Sequence, residues 1–219
     1  MKFSSIQEVL ADLKKGKLVI IVDDADRENE GDLIVAAQHA TPDRINFMAK
    51  HGRGIICVPM ECKRLSELGV DLMVSNNTDE FKTAWTVSID AKKGVTTGIS
   101  AYDRAKTIKT LIDPKSSRED LSRPGHIFPL KAKEGGVLVR AGHTEACVDL
   151  MKLAGLYPAG AICEIMNDDG SMSRTPDLFK FSKDHGLKIG TIRDLIEYRR
   201  KKEILIFKAV ETRMMTDYG

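Results

Sequence analysis

At 219 residues, 42% of them hydrophobic, the chain can bury the core of one large domain or two small ones. Its net charge of +2 gives no global pull toward nucleic acid or a membrane surface, and no apolar run approaches the roughly 18 residues of a membrane span. The four cysteines, Cys57, Cys62, Cys147 and Cys163, form no C-x-x-C pair and read as reduced thiols of a cytoplasmic protein, not as disulfides or a zinc site.

Helix and strand patterns alternate along the chain. The opening stretch lacks the long apolar segment of a secretory signal. Instead Ile6, Val9, Leu10 and Leu13 share one face of a helix that Ser5 and Glu8 begin as a capping box and Gly16 ends. Residues 18–22 and 33–37 read as strands. Thr41 caps a helix with Pro42 at its first position and Gly52 at its close. Residues 54–60 form an apolar strand, and 83–90 alternate like a half-buried one. Ser100 opens a helix to about Ile112. The polar, proline-flanked segment 113–126 reads as a mobile loop. A strand at 137–139 follows, then a helix at 145–154 capped by Thr144 and closed by Gly155, then a strand at 161–166. Asn167, Asp168, Asp169 and Gly170 read as a tight turn between antiparallel strands. Thr175 and Pro176 open a helix ended by Gly186, and Thr191 caps the last one. The alternation predicts an α/β fold, a three-layer α/β/α domain with a mixed, twisted sheet.

For chemistry the richest stretch is 18–33, where an apolar strand breaks into six carboxylates within ten positions: Asp23, Asp24, Asp26, Glu28, Glu30 and Asp32. The last five share one parity, so an extended backbone places them on one face. That crowding asks for a hard cation, a cationic substrate or arginine partners. A solvated acidic turn is the bland alternative, but ligands gather at strand ends in α/β folds. A calcium loop beginning at Asp26 is excluded, because its twelfth position is Ala37 instead of a bidentate Glu.

A second constellation, Arg140 to Glu145, lies between a strand and a helix start whose free N–H groups suit a phosphate. Gly142 allows close backbone approach, Arg140 can grip phosphate oxygens, and His143 can ligate a metal. A capped helix with an exposed His is the structural alternative. Glu164 is the lone carboxylate of an apolar strand, and partial burial makes it either a usable acid–base group or the partner of a buried arginine. His126 ends the polar loop in Arg123-Pro124-Gly125-His126 and can reach a site as that loop closes. Thr96, Thr97 and Gly98 offer small polar groups to substrate oxygens or simply end a strand. Cys57 and Trp85 read as core.

Five motifs together resemble the 3,4-dihydroxy-2-butanone 4-phosphate synthases over roughly residues 5–200. They are D-D-x-D-R-E-N-E-G-D-L from Asp23, G-V-T-T-G-I-S-A-x-D-R from Gly94, R-P-G-H-I-F-P-L from Arg123, R-A-G-H-T-E-A-x-x-D-L from Arg140 and C-E-I-M-N-D-D-G from Cys163. The resemblance implies a homodimer, and the long polar loop that ends in His126 predicts that its active sites are shared between the subunits. The resemblance also implies conversion of D-ribulose 5-phosphate to L-3,4-dihydroxy-2-butanone 4-phosphate and formate in riboflavin biosynthesis. The implied cofactor is Mg²⁺ or Mn²⁺, two ions per site, stabilising the enediolate left by removal of the C3 proton.

Carried over by position, Glu28 and His143 are the implied metal ligands. Arg27 and the stretch Arg140, Ala141, Gly142, His143 and Thr144 are implied to bind the sugar phosphate, with Asp32 and Glu164 on its hydroxyls. His126, Glu164 and Asp32 are the implied acid–base groups. A magnesium-dependent sugar-phosphate binding module is the alternative; it keeps Glu28, His143 and Arg140 but has no use for His126 and Glu164. A nucleic-acid-binding domain lacks its phosphate-loop motif and basic stripe here. Residues 1–205 read as the synthase domain. Residues 206–219, closing in V-E-T-R-M-M-T-D-Y-G, resemble the lead-in to a GTP cyclohydrolase II domain, or are an ordinary tail.

Overall fold

Two apolar faces on the same strands determine the architecture. In the computed structural model, which describes residues 2–203, seven strands form one sheet; the tail expected at 206–219 lies outside the described residues. The strands are β1 (Val19–Val22), β2 (Gly31–Ala36), β3 (Cys57–Met60), β4 (Ile89–Ala91), β5 (Leu121–Lys131), β6 (Gly160–Glu164) and β7 (Lys188–Thr191), in the order β4-β5-β3-β6-β2-β1-β7. Pairs β1–β7 and β3–β5 are parallel and the rest antiparallel, so the sheet is mixed as expected.

Ile20, Val22, Leu33 and Val35 face one core, closed by Ile45 of α2 (Pro42–Phe47), Leu65 of α3 (Cys62–Glu67), Ile108 of α4 (Ala101–Ile112) and Leu178 of α6 (Thr175–His185). Val19, Ile21, Ile34 and Ala36 face the other. There they meet Val9 and Leu13 of α1 (Ile6–Lys14), Leu150 of α5 (His143–Leu153) and Leu195 of α7 (Ile192–Lys202). With both sheet faces covered, the central strands are apolar throughout, and Asp32 is the one ionisable side chain in β1 and β2. Among the described residues, no helix is long and apolar enough to cross a membrane.

Much of the local capping chemistry forms as the sequence predicts, but Thr41 stands at the N-cap of α2 without a side-chain hydrogen bond, and that helix ends at Phe47 with a π turn running on to Gly52. Ser5 and Glu8 make a reciprocal capping box, Ser100 and Thr191 cap α4 and α7 through their hydroxyls, and Gly186 ends α6 in the left-handed region. Several readings need correction. The segment 113–126 is not a loop throughout: a short turn at Arg118–Asp120 leads into β5, and residues 123–126 bulge out of that strand. The three residues expected as a strand at 137–139 instead lie in and beside a 3₁₀ turn, Gly136–Leu138, entered through Gly135 and Gly136 at positive φ. Of 83–90 only Ile89 and Asp90 belong to a strand, β4, with isolated bridges at Trp85 and Thr86. Helix α5 begins two residues earlier than expected, with Gly142 instead of Thr144 at its N-cap, and Arg174 rather than Thr175 holds that position in α6.

Candidate active site

The acidic segment is a folded turn, not an extended strand, so its parity does not sort the carboxylates. Asn29 sits at φ +55, and the strand begins only at Gly31. Asp23, outside the parity set, organises the turn. Its Oδ1 accepts the Glu30 N–H at 2.8 Å, and its Oδ2 accepts the Glu28 N–H at 3.1 Å and Arg27 Nη1 at 2.9 Å. From the other side Arg174 donates to the carbonyls of Glu28 and Asn29 at 2.8 and 2.6 Å. Asp24 turns away to pair with Arg193, and Asp26 is exposed. Glu28, Glu30 and Asp32 line one cleft of about 110 Å³, together with Arg27, Cys57, Thr83, Trp85, Leu130, Arg140, His143, Thr144, Ile162 and Glu164.

His143 opens α5 and is buried against β1. Its Nε2 lies 3.1 Å from the Ile21 carbonyl oxygen, which makes Nε2 the donor and turns Nδ1 toward the carboxylates. Nδ1 is 3.5 Å from Glu28 Oε2 and 3.8 Å from Asp32 Oδ1. Burial alone would lower the imidazole pKa, but Asp32 and Glu28 outweigh it and raise it to about 9. Burial likewise pushes Glu28 upward, yet its hydrogen bond to His143 and the Arg27 charge carry it down to about 2. Without a metal, a proton on Nδ1 therefore holds the place between these two groups.

Asp32 and Glu164 are direct cross-strand partners in the β2–β6 ladder, so their side chains share one face. Burial raises both above the usual carboxylate range, aided at Asp32 by the charges of Glu164 and Glu28 and at Glu164 by that of Glu28. Asp32 Oδ1 is buried with no hydrogen-bond partner among the described residues, whereas Glu164 Oε2 is anchored by the Ile55 N–H at 2.8 Å.

These groups fit a hard divalent cation. Asp23, Glu28 and His143 each bring a ligand atom within 4.8 Å of the others. Both Asp23 oxygens are already committed to three donors, however, so Glu28 and His143 are the pair left to ligate. The orphaned Asp32 oxygen beside them would gain a partner from the ion or its water. Magnesium needs few protein ligands and keeps several waters, which this donor set allows.

At His143 itself α5 starts without a side-chain cap, leaving N–H groups of its first turn for an anion. The Arg27 and Arg140 guanidinium groups converge beside Gly142, where a Cβ would stand 2.4 Å from Arg140 Nη1 and 3.1 Å from Arg27 Nη2. Arg140 is also a scaffold: it donates to Glu145 at 2.5 Å, to the Phe81 carbonyl at 3.0 Å and to Thr83 Oγ1 at 2.7 Å. Two of its five N–H groups remain for a ligand.

Ala141 does not line the cleft; it faces a neighbouring hollow with Asp24, Arg193 and Ile196. His126 is not among the lining residues either and sits instead at the sheet edge on Asp90, with its side chain 40% exposed. Thr96 is committed to Asp103. Thr83 and Arg174 carry no signal in the sequence, Trp85 reads there as core, and Asp23 and Glu145 stand in their motifs without a role of their own. For Glu145 the available signal was its place in the Arg140 motif, and for Asp23 its position directly after a buried strand.

The family model for 3,4-dihydroxy-2-butanone 4-phosphate synthase matches residues 7–198. The chain is 57% identical to the riboflavin biosynthesis protein RibBA of Aquifex aeolicus, over 100% of this chain and 54% of that protein. It is 56% identical to the 3,4-dihydroxy-2-butanone 4-phosphate synthase of Neisseria meningitidis serogroup B, over 99% of this chain and 60% of that one. It thus spans a little more than half the length of these curated relatives. A solved 3,4-dihydroxy-2-butanone 4-phosphate synthase in complex with two magnesium ions matches it with a TM-score of 0.88 at 42% identity, covering 91% of this chain and 98% of that one. The two-domain synthase RibBX of A. baumannii matches with a TM-score of 0.92 at 48% identity, over 99% of this chain and 64% of that one. Sequence and fold agree, and the chain belongs to the 3,4-dihydroxy-2-butanone 4-phosphate synthase family.

Proposed function

We propose that this chain converts D-ribulose 5-phosphate to L-3,4-dihydroxy-2-butanone 4-phosphate and formate, a step of riboflavin biosynthesis, as a cytoplasmic homodimer. One observation carries the reading: a cation-donor pair, a pair of carboxyls with raised pKa values and two arginines at an uncapped helix start share a single cleft. Membership of the synthase family supports it. So does a relative's complex with two magnesium ions.

In this reading Glu28 and His143 hold Mg²⁺ or Mn²⁺. When bound, the metal lends Lewis-acid stabilisation to negative charge on the C2 and C3 oxygens of the ketose. Arg27, Arg140 and the N–H groups around Gly142, His143 and Thr144 bind the phosphate. Asp32 and Glu164 meet the sugar hydroxyls. Two adjacent buried carboxyls resist double ionisation, so one keeps a proton to give while the other can take one. His126 supplies a further acid–base group, reaching the cleft of the partner subunit from the sheet edge. Residues 1–205 carry the activity, with 206–219 as linker or tail.

The test is incubation with D-ribulose 5-phosphate and MgCl₂, followed by assay of formate and of the four-carbon phosphate. Equimolar formation of both is expected. Tight substrate binding with no formate would instead support the binding-module alternative.

A further inference from the structure

We propose that Asp90 is a positioning residue for His126: it fixes the imidazole as the Nδ1–H tautomer and leaves Nε2 as the working nitrogen. The inference deepens the proposed function and rests on His126 being an acid–base group there.

The geometry begins with a break in strand register. Ile89 of β4 pairs with Ile127 of β5, but the next residue, Asp90, pairs with Ser122. Residues 123–126 are left over, and the surplus bulges; bulges re-aim side chains next to functional sites. Here the bulge brings His126 onto Asp90 twice. The His126 backbone N–H donates to Asp90 Oδ1 at 3.0 Å, and Nδ1 lies 2.7 Å from Oδ2. An ionised carboxylate only accepts, so Nδ1 carries the proton. Asp90 is 9% exposed, so the carboxylate side of this pairing is sheltered from water, while the His126 side chain stays 40% exposed.

Two glycines make the approach possible. A Cβ on Gly125 would stand 2.0 Å from the Ile89 carbonyl carbon, so only glycine lets the bulge press this closely on β4. Gly98, at φ +95, walls the pair: its Cβ would stand 2.1 Å from Asp90 Oδ2 and 2.5 Å from His126 Nδ1. Gly98 is itself held in place by Asp103, which accepts its N–H at 3.1 Å and the Thr96 N–H and hydroxyl at 3.1 and 2.7 Å. The segment from Thr96 to Asp103 and the Arg123–His126 bulge thus converge on one product, an imidazole with Nδ1 occupied and Nε2 without a partner among the described residues. A neutral ring in that state takes a proton at Nε2, becomes an imidazolium neutralised by Asp90, and returns the proton later with Nδ1–H unbroken.

The test compares Asp90→Asn, Asp90→Glu, Gly98→Ala and His126→Ala in the magnesium-loaded full chain, with kcat and KM for D-ribulose 5-phosphate and ¹⁵N NMR of the His126 ring. Asp90→Asn offers an amide N–H to Nδ1 and so moves the ring proton to Nε2. We expect kcat to fall on the order of 10²–10⁴-fold with KM within about twofold, because no substrate contact changes. Asp90→Glu, which keeps a carboxylate, recovers part of kcat. Should Asp90→Asn fold poorly, Gly98→Ala still drives a methyl group into the Asp90–His126 contact and should lower kcat in the same way. Native kcat in Asp90→Asn beside a dead His126→Ala overturns the role of Asp90 alone, as does an unmoved ring proton. Native kcat in His126→Ala overturns the acid–base reading of His126, and the positioning role with it.

Discussion

Replacing Gly54 by alanine adds one methyl group and should disable the cleft from behind. A Cβ there would stand 2.3 Å from Glu164 Oε2, 2.8 Å from Glu164 Cβ and 2.8 Å from its backbone nitrogen, where ordinary contact begins near 3.4 Å. The carboxylate can swing aside, but the nitrogen belongs to β6, clamped between β2 and β3, and does not move. The shortfall must be taken by residues 53–55. That segment holds Glu164 at two points, through Gly54 N–H to the Glu164 carbonyl at 3.2 Å and Ile55 N–H to Oε2 at 2.8 Å. Overpacking of this kind costs about 1–3 kcal/mol, a fall in Tm of roughly 2–12 °C for a chain this size. Losing the Ile55 anchor displaces the carboxylate by about 1 Å, which costs on the order of 10²-fold in kcat. Gly155→Ala is the control. It sits at φ +68 in open space, far from the cleft lining, so it should lose about 1–2 kcal/mol to backbone strain and keep its kcat. Formate release at saturating Mg²⁺ and thermal melts read both quantities. Native kcat in Gly54→Ala, or equal kcat losses in both variants, refutes the reasoning.

Four other outcomes follow from the same geometry. Glu28→Gln should abolish turnover and weaken Mg²⁺ binding by calorimetry with little change in Tm, whereas His143→Ala, buried at the start of α5, should also lose stability; excess chelator should stop the native enzyme and Mg²⁺ restore it, and full activity in chelator contradicts the metal role. In the metal-free protein, His143 is raised from 6.5 to about 9 and Asp32 is raised as well, so the folded state holds more protons than the unfolded one and its Tm should fall as pH rises from 6.5 to 9. Mg²⁺ replaces those protons, so the Tm gain on adding Mg²⁺ should widen over that range, and a constant gain would count against it. Deleting residues 208–219 should leave turnover intact, since every candidate site residue lies between Asp23 and Arg174; a large loss would place part of the site in the tail. Mixing inactive His126→Ala with inactive Glu28→Gln subunits should restore roughly a quarter of native activity if exchange is statistical; with exchange verified, a dead mixture rules out a shared site.

What could be read from the sequence was local. Ser5 with Glu8, Ser100, Thr191 and Gly186 each act within a few residues of themselves, so the helix ends they mark fall where their chemistry says. The site residues could be named as well, because Glu28, His143, Arg140 and Glu164 sit in dense motifs at element ends. Their relations could not. The same-parity argument for the acidic run assumed extended backbone, and a single left-handed residue, Asn29, cancelled it and handed the organising role to Asp23. The adjacency of Asp32 and Glu164 is a fact of strand register between segments far apart in the chain, and it adds the Glu164 charge to the burial that raises Asp32. The polar residues 123–126 look like a loop because a bulge has the composition of one, yet they belong to β5, whose broken pairing with the edge strand β4 aims His126. Trp85 reads as core by composition but forms a wall of the cleft, packed edge-on against Phe128 at 6.0 Å. In each case the missing quantity is a long-range one: which strand lies beside which, and in what register. That quantity also decides the chemistry, since a lone carboxyl at Asp32 would ionise more readily, whereas two on neighbouring strands keep a proton between them.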